Sequence, residues 1–185
     1  MLYFLLMPAI GTLLHECGHA LAGELAGFDT ELHYGSTSFY GDGNYFLAIL
    51  GGPLSNMAIG TLGMLWYWRR RRGRTQSAMD GFDWTAFMAA LFWARQIHAL
   101  LGILLWVAAG RVPSNMDEWK LAVHLDLHPS AVTLFTGCIG LWVCHRAVFV
   151  YSPRPMRRGF LLLGVPACGL GMLVWYQVIG PALLP

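Results

Sequence analysis

The sequence is poor in charge. Only 12% of its 185 residues are Asp, Glu, Lys or Arg, about half the share typical of soluble globular domains. Mean hydropathy is +0.51, and 56% of the residues are hydrophobic. One soluble domain of this length cannot hide that much apolar surface, so a soluble fold is excluded. Disorder is excluded too, because aromatics make up 14% of the chain. No two of the four cysteines, Cys17, Cys138, Cys144 and Cys168, form a CxxC pair. All four lie in apolar stretches and read as small packing residues, not as disulfide or zinc-finger cysteines. The N-terminus lacks the basic region of a cleaved signal peptide. No internal repeat is visible.

What is present is a set of long apolar runs. A bilayer span takes about 20 such residues, and the pattern predicts an all-α polytopic membrane protein with about five transmembrane helices. They fall near residues 2–27, 46–68, 84–109, 130–151 and 160–179 of a single integral domain, 1–185. Between the first two, alternation from Asp29 to Tyr45 with a Gly41-Asp42-Gly43 turn predicts a short membrane-associated β-hairpin. Gly51-Gly52-Pro53 is expected to open the second span, where a proline suits a first helical turn. Gly23-x-x-x-Gly27, Gly60 and Gly63 are expected to let helices pack closely. Trp66, Trp68, Trp84 and Trp119 are expected as interface anchors.

The few charges are clustered. Arg69–Arg72 and Arg74 follow the second span, and Arg154, Arg157 and Arg158 follow the fourth. Flanked by apolar spans, these runs mark a cytoplasmic membrane edge and not a nucleic-acid surface. Only Arg111 and Lys120 then fall outside, which gives a cytoplasmic N-terminus and an exterior C-terminus. The expected location is an inner (cytoplasmic) membrane of a bacterium.

Ionisable residues inside a span are costly and default to functional roles. The first span carries His15-Glu16-Cys17-Gly18-His19, an HExxH motif. Residues four apart share a helix face, so both imidazoles reach one metal ion, zinc by preference, and Glu16 is placed to deprotonate the attacking water. Thr12, His15, Glu16, His19 and Gly23 recur every three or four residues as one inward stripe. The extended soluble-protease motif HExxHxxGxxH is missing, since Ala22 and Leu25 stand where its glycine and third histidine belong. A third ligand is therefore sought in the polar segment 111–129. Asp117 is the first candidate, then His124 or His128, then Glu118 or Asp126. Arg95, Gln96 and His98 in the third span line a cavity, neutralise a carboxylate or bond to neighbouring helices. His145 and Arg146 snorkel at the basic end of the fourth.

These motifs resemble the site-2 protease family of intramembrane zinc metalloproteases (peptidase M50), in its compact M50B-like branch. His15-Glu16-Cys17-Gly18-His19 matches the metal motif, and Gly52-Pro53-Leu54-Ser55-Asn56 matches the GPxxN motif of the second core helix. Asn115-Met116-Asp117-Glu118 approximates the Asn/Asp-Gly motif, with Glu118 where the family has glycine. The resemblance covers residues 8–128. It implies that His15, His19 and Asp117 bind zinc and that Glu16 is the general base. It also implies that Asn56 orients a substrate strand or the oxyanion, and that residues 29–45 present an unwound membrane-protein substrate by strand pairing. The alternative is a non-catalytic accessory subunit of a larger membrane complex built on the same scaffold. A third reading has His98 and His145 ligating haem or a pigment.

Overall fold

The computed structural model describes residues 2–74, 78–110 and 114–184. Arg111, one of the two exterior charges counted above, lies outside them. Helix α1 spans Leu2–Leu25. The hairpin follows, with β1 at Asp29–Leu32 and β2 at Thr37–Tyr40, paired antiparallel with Asp29 opposite Tyr40 and Leu32 opposite Thr37. Helix α2 is Tyr45–Arg71, and α3 is Gly81–Ala109 with a 3-10 turn at Leu91–Trp93. A short α4, Asp117–His124, leads into α5, Ala131–Tyr151, and α6, Arg154–Leu183.

Four of these helices, α2, α3, α5 and α6, are long and apolar enough to cross a membrane. The architecture is that of a helical integral membrane protein carrying one small hairpin. Helix α1 has the length, about 36 Å for its 24 residues. It is not one of the four because its second half carries His15, Glu16, His19 and Glu24.

The long helices run up and down between two ends. At one end Phe4, near the start of α1, meets Trp84 and Phe160 at ring distances of 6.2 and 5.5 Å. The basic runs lie there as well. At the other end the Tyr34 backbone N–H of the hairpin turn donates to the Leu184 carbonyl, and Trp175 Nε1 donates to the Tyr34 carbonyl.

Two expectations about glycine and proline change. Helix α2 starts at Tyr45, because the Asn44 side chain accepts from the Leu47 amide and caps it. Gly51-Gly52-Pro53 therefore lies inside the helix, two turns from its start. There the glycines remove bulk where α1 crosses: a Cβ on Gly51 would overlap the Gly18 carbonyl, and one on Gly52 would strike the His19 ring. Gly23 and Gly27 do not join two helices either. Gly23 seats Thr30 and Phe39 of the hairpin, and Gly27, at φ +97°, turns the chain out of α1. Gly60 and Gly63 do pack a helix, against Trp93 and Ala89–Ala90 of α3.

The basic end is not only a charged rim. Arg71 and Asp83 are both fully buried, with Arg71 Nη1 donating to Asp83 Oδ2 at 3.2 Å. Arg70 donates to the other Asp83 oxygen at 2.8 Å and to Asp80 at 2.6 Å. Arg71 also donates to the Tyr151 carbonyl, and the Tyr67 hydroxyl bonds Ser152. Two arginines of the run thus tie α2, α3 and the end of α5 together.

Candidate metal centre

The buried residues of α1 are Phe4, His15, Glu16, His19 and Gly23. The stripe read from the sequence faces inward from His15 onward, while Thr12 is half-buried. The close crossing at Gly18 and Gly51 brings α2 against that face, and Asp117 enters from the first turn of α4. His15 Nε2, His19 Nε2 and Asp117 Oδ2 then converge. Their separations are 2.9 Å (His15–Asp117), 3.2 Å (His15–His19) and 3.3 Å (His19–Asp117). Ligands of a tetrahedral zinc ion with bonds near 2.05 Å lie about 3.3 Å apart.

The surroundings fix which nitrogens carry protons. His19 Nδ1 lies 2.9 Å from the Ala48 carbonyl, which only accepts, so the proton is on Nδ1 and the neutral ring offers a lone pair at Nε2. Arg95 Nη2, which only donates, lies 2.9 Å from His15 Nε2, so that atom is a lone pair too. The His15 proton then sits on Nδ1, facing Asn56 at 3.5 Å. Asn56 is 1% exposed and its Oδ1 has no partner. A half-turn of the amide, whose two ends are interchangeable, places Oδ1 against that N–H and removes the orphaned acceptor. Both imidazoles are then held through one nitrogen with the other aimed at a common point, the arrangement of metal-binding histidines.

With both rings neutral, three acceptors face one another, two lone pairs and a carboxylate oxygen, and a cation at their centre stabilises that contact. The donor set fits zinc. The residue groups that meet this arrangement among the described residues are His15, His19 and Asp117. Arg95 adds a contact at 3.4 Å to Asp117 Oδ2.

Glu16 lies on the same turn, 6% exposed. The Thr37 hydroxyl, at the start of β2, lies 3.0 Å from its Oε2 and 3.1 Å from its carbonyl. The hairpin therefore holds the carboxylate. Thr37 carried no sequence signal beyond its place in the hairpin.

Of the other third-ligand candidates, none joins the cluster. His124 stacks on Phe46 at 4.9 Å, His128 bonds Ser130 at 2.8 Å, and Asp126 is a loop residue at φ +53°. Glu118 is 1% exposed with both carboxylate oxygens unpartnered. Gln96 is buried and accepts from Thr136. His145 lies on Phe149, and Arg146 covers Trp142 and Tyr151.

No protein-family model matches the chain, and no curated protein and no solved structure matches it either.

Proposed function

We propose that the chain is an intramembrane zinc metalloprotease of the site-2 type, which hydrolyses a peptide bond of a membrane-embedded protein. The observation that carries this reading is the convergence of His15 Nε2, His19 Nε2 and Asp117 Oδ2 beside the Glu16 carboxylate. These three residues would hold zinc, which supplies Lewis-acid polarisation of the scissile carbonyl and of the attacking water. Glu16 takes the proton from that water and returns it to the leaving amide nitrogen. Thr37 fixes the Glu16 carboxylate, and Ala48 and Asn56 fix the two imidazoles. An unwound substrate segment pairs with a free edge of the hairpin, which keeps its backbone bonded at membrane depth.

In this reading α1 crosses the bilayer as a fifth span, with His15, Glu16 and His19 shielded by α2, the hairpin and α4 and the exposed Glu24 at its outer end. The basic end faces the cytoplasm of a bacterium, so the hairpin and the metal centre open toward the outer side.

The test compares wild type with Glu16→Gln, expressed in cells whose membrane proteome is searched for new protein termini. Wild type generates termini within or beside transmembrane segments. Glu16→Gln abolishes them and retains one zinc ion per chain. Termini that persist in Glu16→Gln contradict the mechanism.

One observation favours a second reading. Arg95 stands against His15 Nε2 and Asp117 Oδ2, and a guanidinium is itself a cation able to neutralise the cluster. A non-catalytic subunit of a larger membrane complex would use it so. That protein purifies with a stoichiometric partner and without zinc, and Arg95→Gln destabilises it. In the protease, Arg95→Gln leaves zinc bound.

A further inference from the structure

A large cavity of about 520 Å³ lies between α1, α3, α5 and α6, with no hairpin residue in its lining. Asn56 and Arg95 form part of its wall, and apart from these, Thr12 and His98 its lining is apolar. A second cavity of about 220 Å³ adjoins it toward the basic end, with Val148 and Phe160 common to both. Arg157 lines this outer cavity. Arg154 and Arg158 are exposed on the same short turn, and neither has a carboxylate partner among the described residues.

We propose that the two cavities form a binding site for one anionic phospholipid, its headgroup on Arg157 and Arg158 and one acyl tail running past Phe160 into the large cavity. The lining argues for a hydrocarbon chain, because it is almost wholly apolar from Met7 and Pro8 of α1 to Met172 of α6. A polar occupant would lose its hydration against a wall with few partners to offer. Three arginines at the outer mouth set the charge of the headgroup.

The packing of α6 leaves room for such an occupant. Only 22% of its apolar window is buried, against 39–44% for the other three spans. It touches α1 closely at Gly171, where a Cβ would overlap the Leu5 carbonyl. Toward α3 it makes a ring contact at Phe160, 5.6 Å from Phe87, and past that contact the large cavity separates it from α3 and α5. The tail ends against Arg95 and Asn56, so it keeps water from reaching the metal centre from that side. The site does not depend on a metal or on hydrolysis.

Native mass spectrometry of the full chain, released from nanodiscs of mixed phosphatidylglycerol and phosphatidylcholine, tests this. Wild type retains one phosphatidylglycerol per chain and discriminates against phosphatidylcholine. Gly169 and Gly11 face the cavity, and a Cβ there meets nothing closer than 3.9 Å, so Gly169→Leu and Gly11→Leu fill it without backbone strain. Either lowers retention by about tenfold, the loss expected from displacing part of a tail. Arg157→Gln with Arg158→Gln removes the preference for the anionic lipid. Unchanged retention in both filled variants, or equal retention of both lipids by wild type, overturns the proposal. Thermal unfolding of each variant, matching wild type within a few degrees, shows that lost lipid reflects the site and not a lost fold.

Discussion

At the scale of single residues, the candidate centre is built from side chains whose second atoms matter as much as their first. Asn56 is the sharpest case. If its Oδ1 accepts the His15 Nδ1 proton, Asn56→Leu weakens zinc binding by about 10- to 100-fold, whereas Asn56→Asp keeps the acceptor and the affinity. Competition against a zinc chelator measures both. Equal losses in the two variants contradict this arrangement. Glu118 makes a contrasting case. Its carboxylate is buried without a hydrogen-bond partner, and an apolar group of similar size there avoids that desolvation cost. Glu118→Met is expected to raise stability by about 1–3 kcal/mol, read from thermal unfolding, with zinc content unchanged. The sequence put Asp117 ahead of Glu118 as third ligand, and Asp117 is the acid that faces the two histidines. What the sequence did not display is that Glu118 is buried as well, since that depends on how α4 packs.

At the scale of elements, the hairpin has a specific task beside the centre. Thr37→Val keeps the shape and β-propensity of the residue but deletes the hydroxyl that holds Glu16. A hydrogen bond to a charged group is worth about 1.5–3 kcal/mol, so cleavage is expected to fall between about ten- and a hundredfold while zinc stays bound. A fall in zinc content alongside would place Thr37 in folding instead. The hairpin was legible in the sequence because alternation and a glycine turn are local signals. So were the long helices, since hydropathy over about twenty residues needs no tertiary information. The start of α2 was not. Gly51-Gly52-Pro53 looks like a helix opening, yet Asn44 caps the helix earlier, and the glycines answer to the crossing of α1. A close crossing is a property of two helices, and one stretch of sequence does not display it.

At the scale of the whole molecule, the two ends do different work. The basic end locks α2, α3 and α5 through Arg71 and Asp83, both buried. The sequence displayed the arginine run as a membrane-edge signal, and nothing local separated the two arginines that turn inward from those that stay outside. Asp83→Asn leaves Arg71 buried beside a neutral amide, and loss of one partner of a buried pair costs about 3–5 kcal/mol. Unfolding in detergent micelles should show that loss. The double variant Arg71→Met with Asp83→Leu should recover most of it. A single variant as stable as wild type would show that the pair does not hold this end.

The opposite end carries the central claim, that His15, His19 and Asp117 grip one zinc ion. Zinc analysis with X-ray absorption at the zinc edge, on purified wild type and Asp117→Ala, addresses it directly. The account predicts one zinc per wild-type chain with two imidazole nitrogens and a carboxylate oxygen at roughly 2.0–2.2 Å, and loss of that signal in Asp117→Ala. A wild-type chain that takes up no zinc, or a signal unchanged without Asp117, would contradict it.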